Sequence, residues 1–116
     1  MNFLIRLIIT ALAAMLAAYL LPGVHIQDFI TALLFALVLA LLNVLVKPIL
    51  IIFTLPATIL TLGFFLLVIN AVIILLASSI VKGFKVDGFW WAMLFSIVLT
   101  IIAGLMNRLG RQSDKE

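Results

Sequence analysis

The chain has 116 residues, of which 68% are hydrophobic and 9% are charged, and its mean hydropathy is +1.52. A soluble domain carries charge on about a quarter of its residues, so this composition excludes one and predicts a single membrane domain over residues 1–116. The formal charge of +3 comes from scattered basic residues, which argues against a nucleic-acid partner, and the absence of cysteine excludes disulfides and thiolate metal sites.

Four apolar runs are each long enough to cross a bilayer as a helix, which takes about 20 residues. They cover residues 3–21, 29–46, 57–81 and 89–107, and a polar tail follows at 108–116. Asp28 and Asp87 stand just before the second and fourth runs, where a carboxylate suits a helix N-terminus. Although Arg6 and the first run also resemble a signal peptide, the run is long enough to span. We therefore predict an all-α membrane protein with four transmembrane helices.

The segment between the second and third runs, residues 47–56, is apolar but too short to span. Pro48 and Pro56 each favour the first turn of a helix and forbid a continuous helix through them. We predict a break after Lys47, a short Pro-bounded interfacial or re-entrant helix, and a new helix near Pro56. A fifth span at 48–62 would instead invert the second half of the chain.

The second half of the chain repeats the first at an offset of 60 residues, which places Gly23 on Gly83 and Phe35 on Phe95. Each copy consists of an apolar run, a short polar loop and another apolar run. Tandem copies of two spans keep the same orientation in the membrane. The repeat therefore predicts two helical hairpins related by a pseudo-two-fold axis along the membrane normal.

Basic residues predict the orientation of these spans. With four spans the two termini and the central linker share one side, which holds five basic residues against two on the other. The five are Arg6, Lys47, Arg108, Arg111 and Lys115, and the two are Lys82 and Lys85. Because basic residues favour the cytoplasmic side, we expect a multi-pass membrane protein with both termini in the cytoplasm. Tyr19, Trp90 and Trp91 would then form an aromatic belt at the opposite interface.

Small residues recur every four positions in the second and fourth runs. They are Ala32, Ala36, Ala40, Ala92, Ser96, Thr100 and Gly104. Because small side chains let helix backbones approach closely, these positions predict packing among the four helices or, as a second reading, a self-association surface that forms a homo-oligomer. We expect Gly104 to be the most sensitive position of the fourth run and Leu99, which is off this stripe, to face lipid.

Polar residues within the runs are few. Asn70 lies near the middle of the third run, where a structural hydrogen bond to another helix is favoured over a ligand contact. Asn43 lies one turn before Lys47, and this pair either caps the broken helix or binds a lipid phosphate. His25 and Asp28 share a short loop, where a capping Asp beside a surface His is favoured over a catalytic dyad.

The chemistry-bearing residues predict a non-enzymatic protein without a cofactor or a metal ion. No Asp or Glu lies within an apolar run, which disfavours an ion-coupled transporter. No phosphate-binding loop and no set of metal ligands is present. The lipid bilayer is the one partner that the sequence identifies.

A group of motif positions runs through the centre of the chain. It consists of Asn43, Lys47, Pro48, Thr54, Pro56, Thr61, Gly63 and Asn70. In these elements the chain resembles the four-transmembrane phage-holin-like family of small bacterial membrane proteins. The resemblance implies a four-helix topology and holin activity, in which a protein oligomerises and opens lesions in the inner membrane for a lytic enzyme. It brings no catalytic residues, and an envelope-stress-related membrane scaffold or accessory subunit without pore activity is the alternative.

Overall fold

A computed structural model describes residues 2–115 of the chain, with side chains described for residues 2–109. Within that range the order of elements is α1 (Phe3–Leu20), β1 (Val24–Ile26), α2 (Phe29–Leu45), α3 (Lys47–Phe53), α4 (Leu55–Leu60), α5 (Phe65–Ile80), β2 (Phe84–Val86) and α6 (Phe89–Lys115). The four longest helices form a closed ring. In it α1 packs against α2 and α6, and α5 packs against the same two helices from the other side.

The first helix shows how the sequence sets the bounds and the packing of an element. The Asn2 side chain accepts a hydrogen bond of 2.9 Å from the backbone N–H of Ile5, which satisfies one of the free amides of the first turn. The helix ends before Pro22, which lacks the N–H that a continuing helix would need. Its buried residues are alanines, namely Ala11, Ala13, Ala14 and Ala17. These small side chains let the neighbouring helices approach closely.

The segment after α2 contains the short helix α3, and the next helix, α4, begins beside Pro56. The break lies at Val46, one residue before the predicted position, and the axes of α2 and α3 differ by 42°. Pro48 lies in the first turn of α3 and Pro56 in the first turn of α4, where a missing N–H leaves no hydrogen bond unmade. Thr54 separates the two helices.

The third apolar run was predicted to form a helix from residue 57, but α5 begins only at Phe65. Leu62 has a φ of 57° and Gly63 a φ of 90°, so the backbone adopts a left-handed conformation that ends α4. The N–H of Gly63 donates a hydrogen bond of 2.8 Å to the carbonyl of Thr58. The prediction missed this break because an apolar run carries no hydropathy signal for a change in backbone conformation.

The last helix is longer than predicted. We expected a span over 89–107 and a polar tail over 108–116, but the α6 backbone remains helical to Lys115. Glu116 lies outside the described residues, as do the side chains of Arg111 and Lys115 on which the predicted orientation partly depends. A change from apolar to polar residues marks the end of a membrane-spanning run, but the helix itself can continue through polar residues.

The two loops between paired helices form a small antiparallel sheet of three-residue strands, which the predicted helical fold did not include. Val24 pairs with Val86, and Ile26 pairs with Phe84. Beyond the strands, the N–H of Gln27 donates to the Gly83 carbonyl at 3.0 Å, and the N–H of Asp87 donates to the Gly23 carbonyl at 2.8 Å. The sheet therefore joins the first half of the chain to the second.

Two glycines let the halves dock closely beside this sheet. A Cβ atom at Gly23 would overlap the indole of Trp91. A Cβ atom at Gly83 would lie 3.1 Å from the Thr31 hydroxyl, and the φ of +90° at Gly83 itself favours glycine. Trp91 and Thr31 are separated by the same 60 residues as the two glycines. Each glycine thus lies under the first turns of a helix from the other half of the chain.

Three aromatic rings fill the centre of the ring of helices next to the sheet. The ring centroids of Phe35 and Phe84 are 4.4 Å apart, and that of Phe95 lies 5.7 Å from Phe35 and 5.6 Å from Phe84. All three side chains are buried. Because interiors of this kind are closely packed, the core of a single copy is filled at this level.

Helix length and composition agree with a membrane protein. Within the described residues, α1 and α6 are each long and apolar enough to cross a bilayer, and α2 with α3 makes a third such element if the bent pair counts as one. α5 is apolar but has only 16 residues.

Candidate functional site

A polar cleft lies between α2, α5 and α6, at the end of the bundle away from the sheet. Its volume is about 200 Å³. Apolar side chains from the three helices form part of its wall, and its polar lining consists of Asn43, Lys47, Asn70, Ser96 and Thr100. In a chain with so few polar residues inside its apolar runs, the meeting of five of them in one cleft is the feature that most resembles a site.

Helix geometry brings these side chains together. Asn43 and Lys47 lie one turn apart across the bend between α2 and α3. Asn70 comes from the second turn of α5, and Ser96 and Thr100 lie one turn apart on α6. Residues four apart share a helix face, so each helix contributes one short polar stretch.

The polar side chains of the cleft differ in whether their hydrogen-bond donors are already in use. The hydroxyl of Ser96 donates to the Met93 carbonyl at 2.8 Å, and that of Thr100 donates to the Ser96 carbonyl at 2.7 Å. These two hydroxyls keep only acceptor capacity. No side-chain hydrogen bond is present for Asn43, Lys47 or Asn70 within residues 2–109. Their amide and ammonium groups therefore remain available as donors.

Two of the roles suggested for these residues are not seen among the described side chains. The interhelical hydrogen bond expected of Asn70 does not form among the described side chains, because the amide lines the cleft. The residue that caps α3 is Val46, with no side-chain hydrogen bond, so Asn43 and Lys47 do not cap the broken helix.

A second cleft adjoins the first on the other side of α2. It lies between α1 and α2 and has a volume of about 350 Å³. Arg6 and Thr10 contribute polar groups, and both Asn43 and Leu39 line this cleft as well as the first. The two clefts together place Arg6 and Lys47 on either side of Asn43, and no carboxylate lies among the residues that line them.

The two clefts occupy equivalent positions in the two halves of the chain. Ala36 and Ala40 line the first-half cleft, and the residues 60 positions later, Ser96 and Thr100, line the polar one. Thr10 corresponds in the same way to Asn70. Sequence differences between the two halves of the chain therefore give the second-half cleft more polar residues than the first-half cleft.

The predicted packing positions divide into buried and exposed groups. Four of them, Ala32, Ala36, Ala92 and Ser96, are buried, and Ala40 is half-buried. Thr100 and Gly104 are exposed, and an added Cβ at Gly104 would have no atom within 4 Å. Leu99, which we expected to face lipid, is only 6% exposed. Gly104 therefore does not pack against another helix of its own chain, which is the first of the two readings given for this stripe.

The small residues leave the packed face because four residues are slightly more than one turn of the helix. At 3.6 residues per turn, each step of four residues advances about 40° around the axis. Three steps from Ala92 to Gly104 thus rotate the small positions by about 120°, out of the bundle. Leu99 lies seven residues after Ala92, which returns it to nearly the same face.

The remaining motif residues mark the breaks between helices. The hydroxyl of Thr54 donates to the Leu50 carbonyl at 2.7 Å, and that of Thr61 donates to the Ala57 carbonyl at 2.9 Å. Thr61 also accepts a hydrogen bond of 3.1 Å from the backbone N–H of Phe65, the first residue of α5. With Pro48, Pro56 and Gly63 they set the path of the backbone, whereas Asn43, Lys47 and Asn70 line the cleft.

The polar groups at the opposite end belong to the loops. Asp28 caps α2, as predicted: it accepts a hydrogen bond of 2.8 Å from the N–H of Thr31, which lowers the pKa of this carboxyl. Asp87 also stands before a helix, but among the described residues its side chain makes no hydrogen bond to the first turn of α6. Its Oδ2 lies 3.3 Å from Nε2 of His25, and both side chains are about half exposed. Sequence reasoning missed this pair, although the alignment of the two loops could have suggested it.

Metal binding finds no support among the residues that the structure describes. Within them no group of three or more His, Asp or Glu side chains lies close enough to hold a metal ion. The chemistry available in the polar cleft is that of hydrogen-bond donation and a positive charge.

Known proteins resemble this chain over most of its length. The family described as "Mycobacterial 4 TMS phage holin, superfamily IV" matches residues 1–105. The uncharacterized membrane protein YvlD of Bacillus subtilis is 38% identical over 105 residues, which cover 90% of this chain and 88% of YvlD. The uncharacterized protein SCO3922 of Streptomyces coelicolor is 38% identical over 116 residues, which cover 91% of this chain and 93% of SCO3922. No solved structure matches the chain.

Proposed function

The chain belongs to the mycobacterial four-transmembrane-segment phage holin family, superfamily IV, and from this premise we propose that it is a non-enzymatic holin-like protein that self-associates to permeabilise the bacterial inner membrane. In this proposal residues 1–116 form one membrane domain. Four spans form two tandem hairpins, and both termini lie in the cytoplasm. The ring of α1, α2, α5 and α6 supports four spans. The hydrogen bonds between loops 60 residues apart support the tandem repeat.

The short third span is compatible with this topology. α5 has 16 residues, and at 1.5 Å per residue it reaches about 24 Å, somewhat less than the hydrocarbon thickness of about 30 Å. The apolar helices α3 and α4, which lie at the interface or re-enter the membrane in this proposal, would extend the covered depth. Reporter fusions at residues 24–27 and after residue 116 test the topology, and an external C-terminus would refute it.

The observation that carries self-association is the outer face of α6. Gly104 is exposed there, and an added Cβ at this residue would meet nothing within 4 Å. Small residues on an uncovered helix face allow a second helix to approach closely in lipid. Because Phe35, Phe84 and Phe95 fill the centre of one copy, a lesion requires several copies around a shared opening.

Marker release from sealed vesicles or from cells tests this function. The native chain at high expression should release a protein-sized marker. Gly104→Leu should lower the rate about tenfold or more, because the larger side chain keeps the second helix away. Ser79→Leu is the matched control, since Ser79 is also exposed but lies on α5. Membranes that stay sealed to protein-sized markers at high expression would rule out the lesion proposal.

The filled centre also favours a second candidate function. A bundle whose core is closed by three aromatic rings suits a membrane scaffold or an accessory subunit, which acts in the cell envelope without opening a pore. Such a protein would bind a different chain rather than many copies of itself. This candidate leads if membranes stay sealed and if cross-linking captures a partner of a different mass.

A further inference from the structure

We infer that the polar cleft between α2, α5 and α6 binds the phosphate group of an anionic phospholipid. This inference depends on the chain lying in a membrane and not on lesion formation. The side chains of Asn43 and Thr100 line the cleft and are exposed, so the cleft is open rather than enclosed. A lipid headgroup can therefore reach it from the bilayer.

The donor set of the cleft matches an acceptor-only anion. Lys47 supplies a positive charge and three N–H donors, and the amides of Asn43 and Asn70 supply two donors each. None of these groups has a side-chain hydrogen bond within residues 2–109. A phosphodiester offers only acceptors and a negative charge, so it satisfies all three at once. Among the described residues that line the cleft none is a carboxylate, and the positive charge of Lys47 disfavours a metal cation there.

The walls of the cleft favour a lipid over free phosphate. Leu39, Ile73 and Leu99 line it beside the polar groups. Apolar walls next to a charged end fit the glycerol and the first part of an acyl chain, whereas a hydrated inorganic ion gains nothing from them. Leu39 and Asn43 also line the second cleft, which adds space and the charge of Arg6. Basic pockets between membrane helices bind anionic headgroups in this manner.

Differences between the two halves of the chain predict one such site in each protein molecule. The equivalent positions of the first half carry Ala36 and Ala40, which offer no polar group. Residue 107, which is equivalent to Lys47, is Asn and has no charge. One tightly held anionic lipid per chain is therefore expected.

Lipid binding to the purified full-length chain tests the inference. Native mass spectrometry in detergent would titrate phosphatidylglycerol and phosphatidylcholine against the native chain and its variants. Lys47→Gln should weaken phosphatidylglycerol binding about five- to tenfold, which corresponds to the loss of one basic contact at a membrane surface. Lys85→Gln, the matched control, removes the same charge from an exposed residue of β2 and should change binding less than about twofold. Lys47→Arg should retain binding.

Each alternative outcome has a defined meaning. Equal weakening by Lys47→Gln and Lys85→Gln would overturn the site in favour of diffuse charge attraction. Equal binding of phosphatidylcholine and phosphatidylglycerol would overturn the preference for an anion. Displacement of the lipid by millimolar inorganic phosphate would overturn the lipid assignment in favour of a free anion. If circular dichroism shows that Lys47→Gln does not fold, Asn43→Leu replaces it, because Asn43 is exposed. This variant should also weaken phosphatidylglycerol binding, and unchanged binding would overturn the site. The readout is binding without permeability, so failure of the lesion proposal leaves it intact.

Discussion

Two identical substitutions at glycines test which surfaces of the protein are packed. Gly23→Ala places a methyl group where the indole of Trp91 lies, so the ring or the loop must move. Gly104→Ala places the same methyl group where no atom lies within 4 Å. Gly23 has an ordinary negative φ, so its substitution is a test of space rather than of backbone strain.

The expected effects on the free energy of unfolding differ in sign. Overpacking by one methyl group typically costs about 1–3 kcal/mol, and the rigid indole of Trp91 leaves little room for relaxation. Gly104 lies inside α6, where alanine is favoured over glycine by about 0.5–1 kcal/mol. Gly23→Ala should therefore destabilise the chain, and Gly104→Ala should leave it unchanged or slightly more stable.

Unfolding by denaturing detergent, or by steric trapping in bicelles, would measure both variants. A double-mutant cycle with Trp91→Leu supplies the control, because the smaller side chain removes the overlap at Gly23. The cost of Gly23→Ala should fall by about 0.5 kcal/mol or more in that background, as expected for residues in contact. The cost of Trp91→Leu itself cancels in the cycle.

The reverse order of effects would refute this reasoning. If Gly104→Ala destabilised a monomeric sample as much as Gly23→Ala, α6 would have to present Gly104 to its own bundle. An unchanged cost of Gly23→Ala in the Trp91→Leu background would show that the indole does not limit space at the loop.

Three further changes give independent tests. Phe35→Ala removes a fully buried ring and should cost about 3–5 kcal/mol in detergent unfolding, whereas Leu34→Ala, at a half-exposed position, should cost clearly less. The pKa of Asp28 is lowered from its ordinary value of 3.8 by the N–H of Thr31, so the ionised cap stabilises the fold above that value. This stabilisation is lost as the pH falls through the pKa that Asp28 has in the folded state. The Asp28→Asn variant, unfolded over the same acid range, should not show that loss. His25→Ala removes a half-exposed contact between Nε2 of His25 and Oδ2 of Asp87 and should change the free energy of unfolding by no more than about 1 kcal/mol.

Local features of the chain were predictable from sequence because they depend on neighbouring residues alone. Hydropathy predicted a membrane protein, and it predicted helices at 3–21 and 29–46 that the structure has as Phe3–Leu20 and Phe29–Leu45. Asp28 was expected to cap a helix because its side chain acts within one turn. Pro48 and Pro56 were expected in first turns because their rings remove a backbone donor.

The tertiary structure alone decided which side chains meet. Leu99 is buried and Gly104 exposed because the rotation of α6 about its axis depends on its neighbours, while the spacing of small residues only approximates one face. Asn43 and Asn70 meet in one cleft because α2 and α5 are adjacent in the ring, although the chain separates them by three helix breaks. The strands of three residues are too short for a periodic signal, and their pairing joins residues about 60 positions apart. Contacts of this range have no local signature, so the cleft and its available donors emerged only from the packed fold.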